Sequence, residues 1–317
     1  MSEVAVLGAG AWGTALAIQA ARAGNDVVLL ARSRADAIAA SRESPRLPGH
    51  RLPERVRVTG DVASVSGTVI AAVPTQSLRS ALAGLANVRE LVICAKGIET
   101  GSLRLPLEIA AEVLPNAAAS VLTGPNFAHE IAAGHPAAAV VAGLDLAMRE
   151  AVMLRLATPA FRLYGSDDSI GAQIGGAAKN VIAIAAGAVT GAGLGENARA
   201  ALITRGLAEL ARLTVALGGR AETVMGLSGL GDLLLTCTGP ASRNFSLGLA
   251  LGRGESLAAI LAGRLAVTEG VTTAPALLAR AQGVDMPICQ AVAALLEGRT
   301  TLREAIGALL ARPRRDE

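Results

Sequence analysis

The tightest constraint on this chain lies at its start. Val4-Ala5-Val6-Leu7 is a short apolar run; Gly8-Ala9-Gly10-Ala11-Trp12-Gly13 comes directly after it, and Thr14 to Ala23 continues as an Ala-rich stretch. Strand, G-x-G-x-x-G, helix is the order a dinucleotide-binding turn requires. Gly8 permits the tight turn, Gly10 lets backbone approach a pyrophosphate, and Gly13 lets helix and strand pack closely. Free N–H groups at the helix start would then face the phosphates. The chain has 36 glycines, so the motif alone says little. Its flanks, and a second apolar run at Asp26 to Ala31, give it weight.

The end of that second run bears on which dinucleotide is held. An acidic residue there, roughly 20 residues past the glycines, would bind a ribose 2′-hydroxyl. The chain has Arg32-Ser33-Arg34 instead. Arg32 can pair with a 2′-phosphate or stack on adenine, which favours NADP(H) and leaves NAD(H) open. Further apolar runs lie at 55–58, 68–73, 91–95, 120–122, 137–141 and 161–164, alternating with helical stretches such as 77–86 and 103–113. This alternation predicts a mainly parallel, doubly wound, Rossmann-like sheet with helices on both faces. Ligands of such sheets bind beyond the carboxyl ends of the strands, where Pro74-Thr75-Gln76, Lys96-Gly97 and Gly124-Pro125-Asn126 all fall.

Past about residue 166 the alternation stops. Ala/Leu/Gly helices are expected at about 171–192, 197–217, 287–297 and 301–311, the last opened by a capping box at Thr301-Leu302-Arg303-Glu304. The expected organisation is α/β: a dinucleotide-binding domain over 1–165, then an all-α domain over 166–317. The most apolar stretch, 181–195, is short of the roughly 20 residues a membrane span needs and reads as a buried helix. No charged leader precedes the first strand, so no signal peptide is expected. The three cysteines are odd in number and lie in apolar surroundings, which suggests reduced thiols in a cytoplasm. A net charge of +3 without a basic cluster argues against nucleic acid as partner. His50, His129 and His135 have no metal-ligand spacing, so no metal is expected.

Lysine usage singles out two positions. Of 29 cationic residues 27 are Arg, and the two lysines, Lys96 and Lys179, both sit in motifs. An ammonium can exchange a proton where a guanidinium cannot. Lys179-Asn180 also interrupts an apolar helix, where an unpaired ammonium would cost several kcal/mol. Asp232, ahead of the apolar run Leu233-Leu234-Leu235, reads as the N-cap of a helix and as a partner for Lys179. Ser242-Arg243-Asn244 at a helix start supplies hydroxyl, guanidinium, amide and backbone N–H for a phosphate.

Together with Leu47-Pro48-Gly49, Ala72 to Gln76, Lys96 to Glu99, Gly124 to Ala128, Gly229 to Asp232 and Glu269-Gly270-Val271, these motifs span nearly the whole chain. In this order they resemble the NAD(P)-dependent glycerol-3-phosphate dehydrogenases of bacteria. The resemblance implies reversible reduction of dihydroxyacetone phosphate to sn-glycerol 3-phosphate for phospholipid synthesis. It implies Lys179 as proton donor and acceptor with Asp232 beside it, and substrate contacts from Lys96, Gly124, Asn126, Asn180, Ser242, Arg243 and Asn244. It implies cofactor contacts from Ala11, Trp12, Arg32, Pro74, Lys96, Ala128, Arg243, Val267 and Glu269, besides the glycines. A Ser is common in that family where this chain has Ala11 and where it has Asn126. A Lys at its reference pKa near 10.4 is charged at neutrality and suits carbonyl reduction, whereas oxidation needs the neutral amine and alkaline pH.

Two other readings fit part of the sequence. A 3-hydroxyacid dehydrogenase or a ketopantoate-type reductase would share the first domain and a Lys-Asn pair, but has no use for Ser242-Arg243-Asn244 beside Asp232. A non-catalytic NADP sensor would need the glycines but neither Lys179 nor Asp232. The apolar helical half suits a homodimer.

Overall fold

Strands buried on both faces are written as unbroken apolar runs rather than alternating ones, and this chain has several. In the computed structural model, which describes residues 3–86, 88–263 and 268–313, they form one eight-stranded sheet. The strands are β1 (Glu3–Leu7), β2 (Asp26–Leu30), β3 (Val56–Thr59), β4 (Thr68–Ala71), β5 (Glu90–Ile93), β6 (Ala118–Thr123), β7 (Ala137–Ala142) and β8 (Phe161–Ser166), in the spatial order β3-β2-β1-β4-β5-β6-β7-β8. All neighbours run parallel except β6 and β7. The chain leaves β1 toward β3 and then returns to the other side of β1 as β4. The carboxyl ends of β1 and β4 are therefore the switch point at which doubly wound sheets take their ligands.

Six helices accompany the sheet: α1 (Ala11–Arg22), α2 (Ala35–Ser41), α3 (Thr75–Ala83), α4 (Pro106–Val113), α5 (Ala128–Ala133) and α6 (Leu146–Leu156). Polar side chains of α1 tie its neighbours to it. Arg22 donates to the carbonyls of Ile131 and Ala132, closing the end of α5, and buried Gln19 donates to the Leu156 carbonyl at the end of α6.

Nine further α-helices follow among the described residues: α7 (Ser169–Gly191), α8 (Gly195–Ala216), α9 (Ala221–Val224), α10 (Asp232–Cys237), α11 (Arg243–Gly252), α12 (Leu257–Ala262), α13 (Glu269–Arg280), α14 (Pro287–Leu296) and α15 (Leu302–Leu310), with a π-helical turn over Leu227–Gly231 before α10. The chain divides into two compact units, one of residues 1–96 and 104–173, the other of 97–103 and 174–317. Helix α7 is long and apolar enough to cross a membrane, but 89% of its most apolar window is buried. Its bounds match the helix expected at about 171–192 to within two residues. The interior of the second unit is built from Ala and Gly as much as from large side chains. A Cβ on Gly187, Gly191, Gly248 or Gly252 would lie 1.9–2.3 Å from a carbonyl oxygen of the facing helix, so α7 and α11 lie backbone to backbone.

The start of α14 is held by a residue from outside its own chain segment. Its N-cap, Met286, has no side-chain acceptor, and the buried carboxylate of Glu209 on α8 takes the N–H groups of Ile288 (2.6 Å) and Cys289 (3.1 Å). Burial raises the Glu209 carboxyl above its ordinary value, and the two N–H donors offset only part of that. The folded protein thus holds the Glu209 proton to higher pH than the unfolded chain does. This contribution to stability is complete below the unfolded value, near 4.5, and is lost as pH rises through the raised one. Glu209→Gln keeps an acceptor for α14 and removes the titration. Its unfolding free energy should therefore fall less between about pH 4 and pH 7 than that of the wild type. Urea melts at several pH values decide this, and parallel curves would exclude the role of Glu209.

Candidate active site

The glycine-rich turn connects β1 to α1 at the switch point. Gly8 has φ 111°, and a Cβ there would stand 2.9 Å from the Ala72 carbonyl oxygen just after β4. A Cβ on Gly13 would stand 1.9 Å from the Gly8 carbonyl oxygen. Gly10 differs: a Cβ there meets nothing within 4 Å. The first turn of α1 has no side-chain cap and no acidic residue, and its N-cap is Gly10 itself. Open space above an uncapped helix start has room for a pyrophosphate. Gly10→Ala should therefore melt like the wild type yet bind NADPH about tenfold or more weakly, whereas Gly13→Ala should lower the melting temperature itself. Calorimetry of the ligand-free and titrated variants tests both, and equal NADPH affinity in Gly10→Ala would remove this placement.

Other residues expected at the cofactor lie around this turn. Ala11 and Trp12 open α1 and are half-buried; Arg32 is exposed just beyond β2; Pro74 is the N-cap of α3; Ala128 is the first residue of α5. Cys94, after β5, is buried, which pushes its thiol up to about 12 despite a hydrogen bond with Trp12 and the charge of Lys96. Lys96 and Gly124 come after β5 and β6, and Lys96 Nζ donates to the Gly124 carbonyl at 3.2 Å. Gly124 has φ 136°, with no room toward Ala138 and Ala139. Asn126 donates through Nδ2 to the Ala138 carbonyl, so its amide orientation is set, and its buried Oδ1 has no hydrogen-bond partner among the described residues.

The second unit brings the remaining candidates together. Lys179 is 7% exposed and Asp232 1%. The Lys179 ammonium donates to Asp232 Oδ1 and, at 3.0 Å, to Thr236 Oγ1. Thr236 is one turn after Asp232 and gives its own proton to the Asp232 carbonyl at 2.6 Å, so its oxygen can only accept from Lys179. The burial cost of the ammonium is thus met by a carboxylate and a hydroxyl of fixed polarity. Sequence reasoning missed Thr236; its one signal was a polar residue four positions after Asp232 in an apolar run. Asp232 is not an N-cap. A π-helical turn over Leu227–Gly231 runs directly into α10, leaving Asp232 as the first residue of that helix with its side chain turned to Lys179.

Ser242 is the N-cap of α11 and accepts from the Phe245 N–H at 3.2 Å, leaving its hydroxyl proton to give. Arg243 opens the helix and is exposed. Asn244 is buried and faces inward: Nδ2 donates to Asn180 Oδ1 at 2.8 Å, and Oδ1 accepts the Gly270 N–H at 3.0 Å. The Asn180–Asn244 pair therefore joins α7, α11 and the Glu269-Gly270 start of α13. Val267, the remaining residue expected at the cofactor, lies outside the described residues. Among the described residues no three or more His, Cys, Asp or Glu side chains are placed to hold a metal ion. Cys237, beside Thr236, is pushed up to about 12 by burial, and burial holds Cys289 well above the ordinary range.

These units have counterparts in known proteins. Residues 3–149 match the family model of the NAD-dependent glycerol-3-phosphate dehydrogenase N-terminus, and residues 168–307 that of its C-terminus. A glycerol-3-phosphate dehydrogenase [NAD(P)+] of Acidiphilium cryptum is 58% identical over 320 residues, covering 99% of this chain and 98% of its own. A crystal structure of glycerol-3-phosphate dehydrogenase from Coxiella burnetii superimposes with a TM-score of 0.93 at 37% identity, covering 98% of this chain and 99% of that one. A ketopantoate reductase from Ralstonia eutropha superimposes with a TM-score of 0.59 at 19% identity, a likeness of fold alone.

Proposed function

The chain belongs to the NAD-dependent glycerol-3-phosphate dehydrogenase family, and from that premise we propose how its residues carry the reaction. It is an NAD(P)-dependent oxidoreductase that interconverts dihydroxyacetone phosphate and sn-glycerol 3-phosphate. The reading rests above all on the buried Lys179–Asp232–Thr236 cluster, an ammonium held inside an apolar helical unit with no structural need for a charge there.

The dinucleotide, when bound, supplies the hydride for the substrate carbonyl carbon. As negative charge grows on the carbonyl oxygen, Lys179 Nζ stabilises it by hydrogen bonding and then hands over a proton. Asp232 and Thr236 keep Nζ in one place and balance its charge, which holds the proton on the donor until it is needed. In the oxidative direction the neutral amine takes the hydroxyl proton of glycerol 3-phosphate. Ser242, through its hydroxyl proton, and Arg243, through its guanidinium, bind the phosphate at the start of α11, where the helix dipole favours an anion. Lys96, Gly124 and Asn126 hold the glycerol end, Asn126 with its unsatisfied Oδ1 as acceptor for a hydroxyl. Asn180 and Asn244, hydrogen-bonded to each other, supply the amide contacts of α7 and α11.

Residues 1–165 act as the dinucleotide platform and 166–317 as the catalytic part. Gly8, Gly10, Gly13, Ala11, Trp12, Pro74 and Ala128 form the platform's contact surface, and Glu269, at the start of α13, is the helical part's candidate for a cofactor contact. Arg32 beyond β2 favours NADPH over NADH. Three buried cysteines outside any disulfide suit a reducing cytoplasm, and the product suits phospholipid synthesis. The Ala/Gly-rich helices suit a homodimer. Absorbance of NADPH and NADH with dihydroxyacetone phosphate, repeated with Lys179→Ala, tests the core of this reading. Turnover should be far more efficient with the phosphorylated ketone than with unphosphorylated dihydroxyacetone and vanish in the variant. Undiminished turnover in Lys179→Ala would remove the cluster from the mechanism.

A further inference from the structure

Lys179 does not choose its own partner. One turn before it on α7 stands Gly175, and a Cβ there would lie 2.4 Å from the Ser228 carbonyl oxygen, 3.1 Å from its carbon and 3.2 Å from the Gly229 Cα. On α7 the positions are 175 and 179; opposite them are 228, 232 and 236, spaced by four as well. Ser228 rests on Gly175, Asp232 on Lys179, and Thr236 completes the row. The stretch that sets this register is the π-helical turn, where Gly231 N–H bonds the Gly226 carbonyl and Asp232 N–H the Leu227 carbonyl. A π turn carries one extra residue per turn and so rotates the helix it leads into, here α10. The turn is pinned on its other side too, because a Cβ on Gly229 would stand 2.0 Å from the Val224 carbonyl oxygen.

We infer that Gly175 is a positioning residue for the reaction: its missing side chain lets the 227–231 turn seat directly on α7 and so brings the Asp232 carboxylate to Lys179. The inference deepens the proposed role of the Lys179–Asp232 pair and rests on it. Gly175→Ala requires the turn to withdraw by about 0.6 Å to reach the shortest contact a Cβ tolerates and by about 1 Å to restore an ordinary one. A misplacement approaching 1 Å at a catalytic pair costs up to about 100-fold in rate.

The test is a double-mutant cycle in kcat between Gly175→Ala and Asp232→Asn, with each preparation normalised to the fraction that binds NADPH. Gly175→Ala should lower kcat roughly 10- to 100-fold while KM for dihydroxyacetone phosphate and affinity for NADPH change by less than about threefold. The double variant should be no slower than Asp232→Asn alone, because the carboxylate that Gly175 places is already gone. Gly191→Ala, with a comparable clash of 2.2 Å against the Leu249 carbonyl far along α7, should lose stability without this loss of kcat. If Gly175→Ala does not accumulate, Gly229→Ala displaces the same turn from its other side and enters the same cycle. Additive losses, or an unchanged kcat in the folded variant, would overturn the inference while leaving the pair intact. A wild-type kcat in Asp232→Asn would instead withdraw the reading of the pair, and the inference with it.

Discussion

Lys179→Arg should be nearly inactive although it keeps the charge, with kcat lower by roughly a thousandfold or more. Arginine cannot give up its proton at accessible pH, so it can offer the developing alkoxide a hydrogen bond but not complete the transfer. Nor does its planar fork match the site, where one Nζ serves both Asp232 Oδ1 and Thr236 Oγ1. NADPH affinity should stay near the wild-type value, because the glycine turn that receives the pyrophosphate belongs to the other unit. Lys179→Ala is the harsher probe. It leaves the Asp232 carboxylate buried without its cation, which typically costs about 3–5 kcal/mol, so lost activity would be mixed with lost stability. Paired steady-state kinetics and NADPH titration of the Arg variant settle the matter, and retention of more than about a tenth of kcat would exclude proton transfer by Lys179.

Arg243→Ala should raise KM for dihydroxyacetone phosphate by about two orders of magnitude, equivalent to roughly 3 kcal/mol, and leave turnover of unphosphorylated dihydroxyacetone nearly unchanged. The asymmetry comes from where Arg243 stands. Its side chain is exposed at the first position of α11, next to the Ser242 cap. The loss is that of a charge-assisted donor to a dianion beside a helix N-terminus. Arg243→Lys should recover part of the affinity, as a point charge without the bidentate fork. Equal damage with both ketones would make Arg243 a structural residue.

Much of this was legible in the sequence because it is written in local patterns. The G-x-G-x-x-G turn, unbroken apolar strands and the Thr301 capping box each depend on residues a few positions apart, and each formed where expected. Lys179 and Asp232 were recognisable singly because charge in an apolar run needs a reason. Their meeting depends on tertiary packing, and the π turn that delivers Asp232 has no local signature beyond three glycines. Asp232 therefore read as an N-cap and proved to be the first helical residue. Asn244 was read toward the phosphate, yet its amide is engaged with Asn180 and Gly270, a bond between α11 and partners 64 and 26 residues away. Glu209 gave no warning at all, since the cap it provides belongs to a helix that begins some 80 residues later.

The three thiols have a practical meaning for anyone wishing to watch this enzyme move. Cys94 and Cys237 are pushed up to about 12 and Cys289 is raised well above the ordinary range, each by burial. Maleimides and iodoacetamides attack the thiolate, the form that burial disfavours at all three positions. The native chain is thus close to a blank for thiol-directed dyes and spin labels, without any cysteine having to be removed. A reporter introduced at the exposed end of β2 and another on α11 would be the reactive pair, and the distance between them could be tracked through the catalytic cycle on an otherwise unaltered protein.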